Sequence, residues 1–238
     1  MGILTVLSLS ALLLVPPITQ DQNYHDFADQ RTLLGIPNFW NVVSNLPFIA
    51  VGAAGLRRFH HDPATIVLFL GTLGLVFLIS WRINSLNPST AFTLFMVYAA
   101  LLGLMLSSIF LAYTHGSITR VFFISAASFG ALSLYGYTTQ RDLSAIGSFL
   151  IMGLIGLIIA MVVNLFLKSS GLDFVISAAG VLIFAGLTAW DTQKIKEMYD
   201  PMEDGTIVGR KAVMGALTLY LDFINLFLFM LRFLGDRR

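Results

Sequence analysis

The chain has 238 residues, of which 57% are hydrophobic and only 11% are charged, whereas soluble domains carry about 25% charged residues. A net charge of +1 excludes the basic surface that nucleic-acid binding needs, and the absence of cysteine excludes disulfides and thiolate metal sites. The composition therefore predicts an integral membrane protein whose main partner is the lipid bilayer, with no nucleic-acid partner.

Long uncharged runs separate the charged clusters, and a run of about 20 apolar residues can cross a bilayer as a helix. These runs occupy residues 1–20, 32–56, 63–81, 83–114, 121–140, 143–167 and 174–190, and a last apolar segment at 212–231 is broken only by Asp222. The run 83–114 begins with the polar turn INSLNPST, so we expect its span to begin near Ala91. We predict an all-α polytopic transmembrane bundle of seven to eight spans.

The N-terminal run leaves two alternatives open. Residues 3–15, ILTVLSLSALLLV, look like a signal-peptide core. An uncleaved anchor fits equally well, because no Lys or Arg precedes these residues and no small-residue cleavage site follows them. Whether residues 1–20 are cleaved thus stays open. Lys and Arg are divided evenly between alternate loops, so the positive-inside rule leaves the membrane orientation open as well.

Small residues recur at helical spacing in three of the runs. The sets are Ala99, Gly103 and Ser107; Ala126 and Gly130; and Gly156 and Ala160. Such faces allow helix backbones to approach closely in lipid. We expect them to contribute to helix packing within the bundle.

Asp222 is the most unusual residue of the chain, because it lies inside the last apolar segment, LYLDFINLF. A carboxylate at the bilayer centre costs about 2.5–3.5 kcal/mol on insertion scales, so it is expected to face protein or water and to have a partner. Asp191 follows a run of uncharged residues on the preceding span, and the loop between the two aspartates begins and ends on one side of the membrane. Asn225 shares the helical face of Asp222, and Arg82 ends another span on the same side.

Two carboxylates a few ångströms apart cannot both ionise cheaply, so such a pair shares a proton near neutral or mildly acidic pH. The ionised pair would repel itself and attract a cation or Arg82, and the protonated pair could close through a direct hydrogen bond. Oxygen-rich sites of this kind suit Ca²⁺. Simpler interpretations also stand: Asp191 caps a span and is satisfied by Lys194, and the Arg82 side chain extends to the lipid headgroups.

From about Thr65 to its end, the chain resembles the Bax inhibitor-1 family of membrane proteins in its bacterial branch. The resemblance is carried by RINSLNPSTAFTLFMVYAALLGLMLSSIF, ALSLYGYTTQRDLSAIGSFLIMGLIGLIIA, FAGLTAWDTQKIKEMY and LYLDFINLFLFMLR. It implies a seven-helix bundle with an enclosed last helix and a pH-sensitive Ca²⁺ leak. It also implies that Asp191 and Asp222 form the gate and pH sensor, and that Arg82 is the latch. The loop between the aspartates is longer here, with DPMEDGT inserted.

Residues 1–62 do not resemble that family, and YHDFADQR and GIPNFWNVVSNLPFIAVG resemble instead the start of alkaline-ceramidase-like membrane hydrolases. The chain is thus expected to have two parts: a ceramidase-like N-terminal segment, 1–62, and a Bax inhibitor-like bundle, 63–238. The origin of the first part, by natural fusion or as a chimera, stays open. The hydrolases hold Zn²⁺ with histidines, but the four histidines here fall in loops or turns, at His25, His60, His61 and His115. Ser85 stands where a metal histidine would precede a Leu-Asn-Pro turn.

The leading interpretation is a pH-sensitive Ca²⁺ leak channel of a bacterial inner membrane, with Asp191 and Asp222 as gate, proton sensor and tentative Ca²⁺ ligands. Arg82 would be the latch and Asn225 a polar group of the ion path. We expect no catalytic residue and no tightly bound cofactor. Two alternatives remain: a zinc-dependent ceramidase-like hydrolase, and a non-conducting regulator that binds a membrane protease or other membrane proteins. Ion selectivity and oligomeric state stay open.

Overall fold

The computed structural model describes residues 63–200 and 202–237, with side chains from Val67 onward, so the predicted runs 1–20 and 32–56 and the whole ceramidase-like segment lie outside the described residues. Within the described ranges the structure contains seven helices. In chain order they are α1 (Pro63–Arg82), α2 (Pro88–Leu106), α3 (Ile109–Ala112), α4 (His115–Thr138), α5 (Ser144–Leu167), α6 (Ser170–Glu197) and α7 (Gly205–Leu234).

Five uncharged runs and the last apolar segment fall in this part of the chain, and each contains a helix as predicted, although the run 83–114 is divided into α2 and α3. Five segments are long and apolar enough to cross a membrane: Pro88–Ala112, His115–Thr138, Ser144–Leu167, Ser170–Glu197 and Gly205–Leu234. A shorter apolar helix covers Val67–Arg82. The described part of the chain is therefore all-helical and supplies five candidate spans and one shorter apolar helix, whereas the predicted total of seven to eight spans stays a prediction.

Local sequence signals begin and end these helices. Pro63 and Pro88 occupy the first positions of α1 and α2, where the missing N–H removes no helical hydrogen bond. The hydroxyl of Thr114 accepts from the backbone N–H of Ser117 at the start of α4, and the hydroxyl of Ser169 accepts from Leu172 at the start of α6. Lys168, with φ of 51°, ends α5 in the left-handed conformation and so allows the short turn into α6.

The described elements divide into two compact units. The first includes α1, most of α2 and residues 200–214, which contain the start of α7. In this unit the α1–α2 turn contacts the start of α7, because Arg210 Nε donates to the carbonyl of Leu86 at 2.7 Å and Gly209 packs against Pro88. Lys211 pairs with Glu203 at 2.5 Å.

The second unit includes α3 to α6 and the remainder of α7, and its helices approach closely at four glycines. A methyl group added at Gly136 of α4 would overlap the backbone carbonyl of Ala189 in α6, and one at Gly147 of α5 would overlap the Trp190 ring. Glycine thus allows these contacts because it has no Cβ. The other two approaches are Gly186 against Leu150 and Gly180 against Phe229.

These close contacts do not involve the small-residue faces singled out in the sequence. A methyl group added at Gly103, Gly130 or Gly156 would meet no atom of the described residues within 4 Å. The expectation that these glycines pack helices within the bundle is therefore wrong for the described part of the chain. Spacing of small residues identifies a face on which close approach is possible, but it does not identify the face that is used.

Burial differs strongly among the long helices. In the apolar stretch of α7, 61% of the residues are buried, whereas the buried share of the corresponding stretch is 11–39% in the other four candidate spans. Asp222 therefore belongs to the helix with the least exposed surface. Complete enclosure of this helix by the others stays an expectation.

Candidate functional site

The last two long helices bring the two predicted aspartates together. Ile195 of α6 packs on Gly215 of α7, and Phe184 of α6 stacks on Phe229 of α7, so the two helices run antiparallel. Asp191 and Asp222 lie between these two contacts along the helices. The predicted proximity thus results from an antiparallel pair of helices joined by one loop.

Asp191 and Asp222 lie close enough for each carboxyl group to act electrostatically on the other. Asp222 is only 3% exposed, and Asp191 is half-buried. The Oδ2 atom of Asp222 is buried and has no hydrogen-bond donor among the described residues. A buried carboxylate oxygen without a donor is costly, and a proton shared with the neighbouring carboxyl group or a bound cation would satisfy it.

Hydroxyl groups accompany the pair on α6. Thr188 and Thr192 lie within one helical turn of Asp191, and both are buried. Each hydroxyl donates to a carbonyl of its own helix, Thr188 to Phe184 and Thr192 to Thr188, both at 2.7 Å. Their oxygens therefore keep lone pairs with which to accept a hydrogen bond or contact a cation.

Asn225 is 2% exposed and lies one turn after Asp222. Its side-chain amide donates to the carbonyl of Leu221 at 3.0 Å. This places a buried polar group on the Asp222 side of α7, as the helical spacing predicts. Its part in an ion path stays a prediction.

Lys194 follows Asp191 by one turn, and its positive charge acts on that carboxyl group. The Lys194 ammonium also lies 5.0 Å from the centre of the Trp190 ring, a geometry that favours a cation–π contact. The simpler interpretation, in which Lys194 accompanies Asp191, therefore describes part of the site. It leaves the Oδ2 atom of Asp222 without a donor.

Arg82, the predicted latch, ends α1 and belongs to the first compact unit. Its side chain is exposed, and its guanidinium carbon lies 5.7 Å from the centre of the Trp81 ring. Ser85 donates its hydroxyl to the Arg82 carbonyl at 3.0 Å. The latch role of Arg82 stays a prediction.

A zinc centre has no support in the described part of the chain. No group of three or more His, Cys, Asp or Glu side chains there could hold a metal ion, whereas a catalytic zinc site needs about three protein ligands. His115 is exposed and contacts the Phe110 ring. The other three histidines lie outside the described residues.

A charged cluster that was not predicted from the sequence lies at the other ends of the same two helices. Asp173 lies in the first turn of α6 and pairs with Arg232 in the last turn of α7 and with Arg237. Asp236 in turn pairs with Arg120 of α4. Opposite charges at matching ends of consecutive helices were the signal that could have identified this cluster.

Gln193, which is 6% exposed, was not predicted from the sequence either. The Gln193 side chain accepts from the N–H of Leu143 at 2.9 Å and donates to the carbonyl of Arg141 at 2.8 Å. Gln193 thereby holds the α4–α5 turn on α6, two residues from Asp191. No sequence spacing indicates such a contact, because the partner atoms belong to the backbone.

Known proteins resemble this chain over most of its length. The inner membrane protein YbhL of Escherichia coli is 50% identical over 173 residues, which cover 72% of this chain and 74% of that protein. A protein of Borreliella burgdorferi is 52% identical over 181 residues, 76% of this chain and 78% of the relative. A membrane protein of Streptococcus pyogenes is 39% identical over 198 residues, 83% of this chain and 79% of the relative.

The family whose model matches residues 38–238 is described as inhibitor of apoptosis-promoting Bax1. The match begins before residue 62, so part of the predicted ceramidase-like segment falls within it, and none of these findings supports a ceramidase-like origin for that segment. Together with the long apolar helices, the relatives identify an integral protein of the inner membrane. The chain belongs to the Bax1-I family, known also as the Bax inhibitor-1 family.

Proposed function

We propose that this protein is a pH-sensitive Ca²⁺ leak channel and that Asp191 and Asp222 form its gate and pH sensor. The single observation that carries the proposal is the interacting carboxyl pair, in which a buried Asp222 oxygen has no donor among the described residues. A carboxylate that is retained in an apolar helix at this cost is a candidate functional group. Membership of the family supports the proposal.

The charge of the pair depends on its protons. With one shared proton, the two carboxyl groups can be joined by a hydrogen bond and hold α6 against α7. With no proton, the two negative charges repel each other unless a cation lies between them. A change of one proton therefore alters both the force between the helices and the attraction for a cation.

Ca²⁺ suits such a site because it prefers oxygen ligands at 2.3–2.6 Å in flexible arrangements. The two carboxylates supply up to four oxygens, and the hydroxyls of Thr188 and Thr192 lie within a turn of Asp191. Ca²⁺ would be the transported substrate here. Arg82 would act as the latch by competing with the cation for the ionised pair, and Asn225 would contribute a polar group to the path.

The test is Ca²⁺ flux into proteoliposomes that contain a Ca²⁺-sensitive dye, measured over a series of pH values. We expect a pH-dependent flux for the wild-type protein and a flux independent of pH for Asp222→Asn, because an amide cannot share or lose the proton. Asp142→Asn is the matched control, since Asp142 is an exposed carboxylate in the α4–α5 turn, and we expect it to keep the wild-type pH profile.

Two results would contradict this proposal. Wild-type protein that passes no Ca²⁺ at any pH would reject the channel. An unchanged pH profile in Asp222→Asn would reject the aspartate pair as the sensor while leaving the channel in place.

A non-conducting regulator is the second candidate. It is favoured by the glycines at helix surfaces, Gly103, Gly130 and Gly156, which no described residue covers and which would allow another helix to approach closely. A membrane protease or another membrane protein would be the partner. Absence of flux together with a helix partner that cross-links at Gly130→Cys would favour this function.

A further inference from the structure

The interface between α6 and α7 changes character along its length. At one end lie the carboxyl groups of Asp191 and Asp222, and at the other lies the ion pair of Asp173 with Arg232. Asp173 and Asp191 are 18 residues apart on α6, which corresponds to ~27 Å along a helix. Between these two polar ends lies an aromatic stretch, which is bordered by the buried polar side chains of Ser177, Thr188 and Asn225.

The aromatic segment consists of Phe184 and Phe229. Phe184 is 0% exposed and Phe229 is 4% exposed, and their ring centres lie 5.6 Å apart with the planes inclined by only 20°. Leu226, one turn before Phe229, is also fully buried. The side chains of these three residues contain no oxygen or nitrogen atoms.

Gly180 makes the position of the Phe229 ring possible. A methyl group added at Gly180 would overlap that ring. The ring can therefore pack against α6 at this position only because glycine has no Cβ.

We propose that the Phe184–Phe229 stack is the hydrophobic barrier of the leak and that it blocks ions beyond the aspartate pair. The inference rests on the proposed Ca²⁺ function. A hydrated cation that leaves the carboxylates in this direction meets no oxygen ligand at the stack, and hydrophobic constrictions of this kind close ion pathways by excluding water. The aspartate pair would then set the force between α6 and α7, and the stack would be the part of the interface that opens.

The test measures Ca²⁺ flux into proteoliposomes for Phe229→Ala and Phe184→Ala at the pH where wild-type flux is lowest. We expect each variant to raise this flux ~10-fold, as a barrier lowered by about 1.4 kcal/mol would. Gly180→Ala should also raise it, because the ring must leave its position. The matched control is Phe129→Ala, because Phe129 is half-buried and makes an edge-on contact with Phe223 of α7, away from the α6 stack, and we expect wild-type flux.

Phe184→Leu and Phe229→Leu are measured beside the alanine variants. Leucine removes the ring but less volume than alanine does, so a folded variant is available for comparison at each position if the alanine variant does not fold. Folding is checked by size-exclusion chromatography and thermal unfolding in detergent. Folded variants with lowered thermal stability and wild-type flux would show that the stack serves packing alone, which overturns the inference while the channel stands. Wild-type protein without flux overturns the proposed channel and this inference together.

Discussion

Asp142 and Asp222 are the same residue type in opposite surroundings. Asp222 is buried in α7 against a second carboxyl group and has an oxygen without a donor. Asp142 is exposed, and its Oδ1 accepts from the backbone N–H of Ser144 at 2.8 Å at the start of α5. Hydrogen bonds from the Ser144 hydroxyl and backbone N–H lower the pKa of Asp142 from its ordinary value. The Asp222 carboxylate is suited to switching, and the Asp142 carboxylate is suited to stabilising a helix end.

The lowered pKa of Asp142 makes its contribution to stability dependent on pH. Because the folded-state pKa lies below the unfolded one, the contribution is present above about pH 4, the unfolded value, and is lost as the pH falls through the folded pKa. Asp142→Asn should therefore have a lower midpoint of thermal unfolding than the wild-type protein at pH 7, and the difference should shrink on acidification. Midpoints measured in detergent from pH 7 to pH 3 test this, and a difference that grows toward low pH would contradict it.

At the scale of elements, the contact between α4 and α6 depends on the absence of one side chain. Gly136 places the α4 backbone against the carbonyl of Ala189, so the two helices meet backbone to backbone. The Lys196 ammonium, which lies two turns after Ala189 on α6, donates to the carbonyl of Tyr137 at 2.9 Å and so joins the same two helices. Gln193 then adds the α4–α5 turn to this contact.

Gly136→Ala should destabilise the protein by about 1–3 kcal/mol, because the added methyl group must push α4 away from α6. Gly130→Ala is the matched control on the same helix, since no described atom lies within 4 Å of the position where its methyl group would be. We expect it to be neutral or to stabilise by up to about 1 kcal/mol, through the higher helix propensity of alanine. Unfolding free energies in mixed micelles test both, and equal values for the two variants would contradict the contact.

At the scale of the whole molecule, the bilayer decides which positions tolerate charge. The outward faces of the long helices carry many large apolar side chains, among them Ile159 near the middle of α5, which is 58% exposed. Asp222 also lies inside an apolar helix, but it is buried against protein. The difference between the two positions is the solvent that each side chain meets.

Ile159→Asp should therefore impair membrane insertion of α5, at a cost of about 2.5–3.5 kcal/mol for a carboxylate near the bilayer centre. Ile159→Ala is the control, because it shortens the side chain without adding charge, and we expect it to insert. The fraction of full-length protein recovered in the membrane, compared with misfolded or degraded chain, measures the effect. Equal recovery of the two variants would show that this face of α5 does not meet lipid.

The sequence by itself determined the helical class, the approximate positions of the apolar helices from residue 63 onward and the presence of a carboxylate that needed a partner, whereas the helix ends differ from the predicted runs by up to seven residues. It could do so because lipid excludes charge and requires every backbone group to bond within its helix, which are one-dimensional constraints. Asp191 could be predicted as the partner of Asp222 from the sequence, because a single loop joins its helix to that of Asp222.

Only the tertiary structure decided which glycines form contacts, since Gly136 and Gly180 are packed whereas Gly103 and Gly130 are open. It also decided that Phe184 and Phe229 stack beyond the aspartates and that Gln193 holds a turn on α6. These features depend on the rotation of each helix about its own axis. That rotation results from the packing of all neighbouring side chains together, which residue spacing along one helix does not contain.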